Sequence, residues 1–111
     1  MVKEKKNLID KKIVQGYFSK KEYMPLVTLL ELPLSEIKRI YTNIEEYELI
    51  DLINYALDWK TKDYWQALSV EWIESGIPII ESTKNKLEKI PNDKGYSQKL
   101  RHKVQKLLNK Q

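Results

Sequence analysis

In residues 46–60 apolar side chains recur at helical spacing along two lines at once. Leu49, Ile53, Ala56 and Leu57 share one face, and Leu52, Tyr55 and Trp59 form a second line. Glu48, Asp51 and Asp58 alone hold a clear polar side. A helix apolar around so much of its girth needs neighbours on more than one side. The segment therefore belongs in the middle of a helical assembly. Thr42 with Glu45, or Asn43 with Glu46, fits a capping box at its start.

The rest of the chain repeats the 3.6-residue period. Over 62–75, Tyr64, Trp65, Leu68, Trp72 and Ile73 recur at helical spacing, and Ala67 and Val70 widen the arc. This reading turns Tyr64, Trp65, Leu68 and Trp72 inward. Gly76 stands where a C′ glycine ends a helix, Ile77 can pack back on the last turn, and Pro78 is placed to open the next helix. That helix, about 78–89, is expected to bury Ile80, Thr83, Leu87 and Ile90. The PNDKG stretch, 91–95, is a turn. Over 97–109, Leu100, Val104, Leu107 and Leu108 oppose Lys99, Lys103, Lys106 and Lys110. Nearer the N-terminus, Ile9, Ile13 and Tyr17 suggest a short helix ending near Gly16. Residues 25–32, PLVTLLEL, read as a helix opened by Pro25 or as a short strand. Ser35 is expected to cap a short helix through Ile40.

These elements give an all-α chain, residues 1–111 as one helical domain. About six short helices form an antiparallel bundle or a short HEAT-like stack of helical hairpins. With three glycines and four prolines, a turn-rich β-sandwich is disfavoured. No cysteine is present, so neither a disulfide framework nor a thiolate zinc site can form. The charged opening MVKEKKNLIDKK has no apolar run of the signal-peptide kind, and no stretch approaches the length needed to span a bilayer. The expected location is cytoplasmic, with no membrane partner.

Motifs for chemistry are missing. The single histidine, His102, has no triad or metal partners in the pattern, and no phosphate-binding glycine loop occurs. No catalytic residue, cofactor or metal is expected, and the chain reads as a non-enzyme. The net charge of +4 conceals a layout. Residues 1–30 carry seven lysines against three acids; residues 31–81 carry eleven acids against four basic residues; residues 82–111 carry nine basic residues against two acids. An acidic middle lies between basic ends. The tryptophans Trp59, Trp65 and Trp72 are either a core cluster or, in part, surface anchors beside those acids. The lysine stripe is either a solvated face or a phosphate-tracking surface. A small basic nucleic-acid-binding protein using Lys99, Lys103, Lys106 and the N-terminal lysines is thus the alternative reading. An adaptor subunit is a third.

Two segments carry a resemblance: YWQALSVEWIESGIPI (64–79) and YSQKLRHKVQKLLNK (96–110). A Trp-containing helix, a Gly-Ile-Pro stop, a second helix and then SQKLRHK resemble small helical immunity proteins of bacterial contact-dependent growth inhibition systems. YFSKKEYMPLVTLLE (17–31) is a looser echo. The resemblance implies a protein that binds the C-terminal toxin domain of a cognate effector, typically a nuclease, and covers its active site. Nucleases that grip phosphates present basic clefts, which an acidic patch complements. The partner-binding residues expected on that basis are Glu48, Asp51, Tyr55 and Asp58 on one helix, with Asp63, Glu71 and Glu74 on the next. The overall positive charge departs from what a nuclease inhibitor usually carries.

Overall fold

A computed structural model describes residues 10–110; Ile9 and the lysines that precede it lie outside them. Six α-helices and one 3-10 helix follow in order. They are α1 (Lys11–Ser19), the 3-10 helix (Met24–Glu31), α2 (Leu34–Ile40), α3 (Glu46–Leu57), α4 (Tyr64–Glu74), α5 (Glu81–Leu87) and α6 (Gln98–Asn109). No strand occurs among the described residues, so the all-α expectation holds and PLVTLLEL is helical up to Glu31. Pro25 at the start of that segment and Pro33 just beyond it leave only a short run between helix breakers, which suits the tight 3-10 form.

As its periodicity requires, α3 has neighbours on several sides. It packs against α4, α5 and the 3-10 helix, while α6 closes on α4 and α5. This is the arrangement of two helical pairs, α3/α4 and α5/α6, laid side by side. The 3-10 helix covers α4 and α3, and α1 packs on it in turn. The core joins Leu49, Leu52, Ile53, Ala56 and Leu57 of α3 to Val70, Trp72 and Ile73 of α4. Leu26, Leu29 and Leu30 of the 3-10 helix, Leu87 of α5 and Leu100 and Val104 of α6 complete it. Burial of this apolar surface is the main favourable term holding the helices together.

Two helix ends follow their local sequence signals. Gly76, at φ 130°, ends α4, and the N–H of Ile77 returns to the Trp72 carbonyl at 3.3 Å. Ile77 is buried, as the Schellman pattern demands. Ser97 caps α6 by accepting from Leu100 N–H at 3.2 Å.

Other ends differ from expectation. Gly16 does not stop α1, which runs through it to Ser19. The stop is a Schellman motif centred on Lys21 at φ 58°, with Glu22 N–H on the Tyr17 carbonyl and Lys21 N–H on that of Phe18. A lysine stands where glycine is usual, and that concealed the end. Glu45, not Thr42 or Asn43, caps α3, because the Glu48 carboxylate returns to the Glu45 N–H at 2.9 Å. Pro33, not Ser35, starts α2; its carbonyl accepts from Glu36 and Ile37. Pro78 does not open α5. The chain has no regular structure from Ile77 to Ile80, and Ile80 itself is extended and exposed rather than buried. A residue before proline avoids the helical region, and here the irregular run persists until Glu81 can supply the first turn's carboxylate.

Candidate functional site

The three tryptophans differ in burial. Trp72 is buried, and its indole N–H donates to the Leu32 carbonyl at 2.9 Å. Trp59 and Trp65 are half-buried and belong to a line of ring contacts along one side of the molecule. The line runs Phe18–Tyr23–Tyr55–Trp59–Trp65–Tyr64, with successive centroids 6.3, 5.9, 5.7, 5.9 and 4.8 Å apart. It begins beside the start of the 3-10 helix. It ends where the Tyr64 hydroxyl donates to Glu31, the last residue of that helix. Edge-to-face and tilted pairs of this kind are favourable beyond their burial. They leave several ring faces open.

Large apolar groups are exposed along the same side. Tyr55 is 36% exposed, Tyr64 55%, Tyr47 62% and Met24 65%. Tyr64 thus faces outward, contrary to the inward placement its spacing suggested. The first residue of a helix lacks the preceding turn that would hold it down, and here the Glu31 carboxylate draws its hydroxyl across the surface.

Acids fringe this line unevenly. The Tyr23 hydroxyl donates to Asp51 at 3.2 Å. Burial, then the Asp51 carboxylate and the more distant Glu48, push the Tyr23 phenol up to about 12. Tyr47 is within the same electrostatic reach. Of the seven residues expected to bind a partner, Glu48, Asp51 and Tyr55 therefore gather on this face. The other four are placed differently. Asp58 is ion-paired with Lys86 of α5. Asp63 caps α4 in a box with Gln66 and accepts the Ser97 N–H at 2.9 Å. Glu74 pairs with Lys103 of α6 at 3.5 Å. Glu71 lines a cleft at the far end of the face, with Leu32, Leu34, Trp72 and the same Glu31 that accepts from Tyr64.

Sequence reasoning missed Tyr23, Met24 and Tyr47. Tyr47 had a signal, since Tyr47, Asp51 and Tyr55 recur every four residues on α3. Tyr23 and Met24 had none, because the start of the 3-10 helix, where they stand, meets α3 only in three dimensions. On α6, Lys99 and Lys106 are exposed, as is Lys110 just beyond its end, and Lys103 is engaged by Glu74. No cluster of three or more His, Cys, Asp or Glu among the described residues is arranged to hold a metal ion, and no helix there is long and apolar enough to cross a membrane. The face presents exposed rings, a thioether and carboxylates. Compared with protein-family models, curated proteins and solved structures, the chain matches none.

Proposed function

We propose that this chain is a non-enzymatic immunity protein. It acts in the cytoplasm by binding a cognate toxin domain, a nuclease with a basic cleft, and covering its active site. One observation carries the reading: exposed Tyr47, Tyr55, Tyr64 and Met24 lie on one side of the fold with Glu31, Glu48 and Asp51 among them. Aromatic anchors within an acidic fringe are what a basic protein surface selects. The resemblance of residues 64–79 and 96–110 to growth-inhibition immunity proteins supports the same reading. The binding surface is narrowed to Glu48, Asp51 and Tyr55, joined by Tyr23, Tyr47, Met24 and Tyr64. Asp58, Asp63 and Glu74 serve the fold first.

The test is co-expression with the toxin domain encoded beside this chain's gene. A stable one-to-one complex and loss of nuclease activity are expected. A toxin domain that stays free and active in its presence refutes the reading. The exposed lysines of α6 favour a second reading, nucleic-acid binding. A gel shift titrated with salt checks it, because phosphate-dominated binding weakens steeply as salt rises.

A further inference from the structure

An open hollow of about 450 Å³ lies at the start of the 3-10 helix, lined by Lys21, Glu22, Tyr23, Met24, Pro25 and Tyr55. Its walls are ring faces and a thioether. Its rim carries the Glu22 carboxylate, and Asp51 lies behind the Tyr23 hydroxyl. Asp51 accepts one bond, from Tyr23, among the described residues, although a carboxylate has room for about four. The chain itself shows what such a pairing of ring and carboxylate can hold. Lys62 sits 5.2 Å over the Tyr96 ring while its ammonium pairs with Asp93 at 2.7 Å. Tyr23 and Tyr55 line the hollow, and Asp51, one turn before Tyr55 on α3, stands at its edge through the Tyr23 hydroxyl rather than in its lining; no cation of the described residues is ion-paired with Asp51. Lys21 lines the hollow without joining the carboxylate.

We infer that this hollow takes an arginine side chain presented by a protein partner, with the guanidinium stacked on Tyr55 and hydrogen-bonded to Asp51. The inference rests on the reading that this face meets a basic protein, and it names the partner group. Arginine fits better than lysine because its planar cation can stack on a ring and still direct two N–H groups at one carboxylate. Tyr23 positions Asp51 for that bond. Lys21 is the one cation lining the hollow and opposes the incoming charge.

The probe is blocked arginine, N-acetyl-arginine methylamide, titrated into the full chain and followed by amide NMR. Blocked lysine and blocked citrulline serve as parallel probes. Arginine should give saturable shifts at Lys21–Pro25, Asp51 and Tyr55 in the millimolar range, with lysine several-fold weaker and citrulline silent. Asp51→Asn, which keeps the shape and an acceptor for Tyr23, should weaken arginine binding at least threefold. Lys21→Asn, which tolerates the left-handed backbone there, should strengthen it. Shifts that are absent, that spread over all the acids, or that citrulline reproduces overturn the inference. Tight toxin binding by a chain with no arginine response sinks this inference and leaves the immunity reading standing. A normal arginine response without any toxin binding does the reverse.

Discussion

Asp63 holds a backbone conformation that side chains rarely adopt, φ 116° and ψ −47°. Three contacts keep it there. Its N–H donates to Gln66 Oε1 at 3.0 Å, its carboxylate accepts the Ser97 N–H at 2.9 Å, and it caps α4. Strain of this sort persists only where surrounding structure fixes it, and it costs about 1–3 kcal/mol. Asp63→Ala keeps the strain and loses the cap and the Ser97 acceptor, so it should destabilise by about 1–3 kcal/mol. Asp63→Gly loses the same contacts but releases the strain, and should cost less than half as much. Urea denaturation of the two variants checks the order. Tyr23 gives a second residue-scale test. Its phenol is pushed from 10.0 to about 12, first by burial and then by Asp51. Between those values the unfolded chain releases a proton that the folded chain retains. Folding stability contributed by Tyr23 is therefore intact below about pH 10 and lost as pH rises toward 12. Asp51→Asn should lower the Tyr23 titration midpoint, read by phenolate absorbance; an unchanged midpoint would mean that Asp51 does not feel the phenol.

At the scale of elements, the period of the apolar residues located α3, α4 and α6 because their buried faces are regular. Boundaries were legible where the usual residue stood in the usual place, as at Gly76 and Ser97, and illegible where another did that duty. Gly16 misled because glycine weakens helices without having to end them. The α1 helix carries it, and a Cβ there would meet nothing within 4 Å. Its φ is not in the left-handed range, so nothing at this position requires glycine. Gly16→Ala should therefore stabilise the protein by about 0.5–1 kcal/mol in thermal unfolding. Gln66 carries no sequence signal beyond being one polar residue within an apolar arc. It is fully buried and ties the α3–α4 link to α4. Its amide donates to the Trp59 and Thr61 carbonyls at 3.1 and 3.2 Å, while its oxygen takes the Asp63 N–H. Leucine fills similar space and satisfies none of these. Gln66→Leu should cost about 2–4 kcal/mol, since backbone groups left buried without partners are expensive. A chemical denaturation midpoint equal to wild type would show that the link does not depend on Gln66.

At the scale of the molecule, the run of acids in residues 31–81 did not translate into one acidic surface. Linear charge counts ignore where basic helices dock. The α5 and α6 helices bring Lys86 to Asp58 and Lys103 to Glu74, and the basic C-terminal third spends part of its charge on the acidic middle. Among the acids without a lysine partner, Glu48 and Asp51 stand beside the rings of Tyr23 and Tyr55, which come from far apart in the chain. This partition can be tested with net charge held equal. Glu48→Gln with Asp51→Asn removes two negative charges and keeps an acceptor for the Glu45 N–H and for the Tyr23 hydroxyl. Asp58→Asn with Glu74→Gln removes two as well, from acids already paired. Both double variants shift the whole-molecule charge by the same amount, so a difference between them reports position alone. In the proposed function, association of a basic toxin domain is steered by the local field and slows when that field is removed, most at low salt. The first pair should reduce the association rate several-fold in stopped-flow mixing, with the gap closing as salt is raised. The second pair should leave the rate within about twofold of wild type, because those carboxylates are turned to Lys86 of α5 and Lys103 of α6 and salt screens their effect at the α3 face. Equal slowing by the two pairs would assign the steering to net charge and remove the α3 face from the argument.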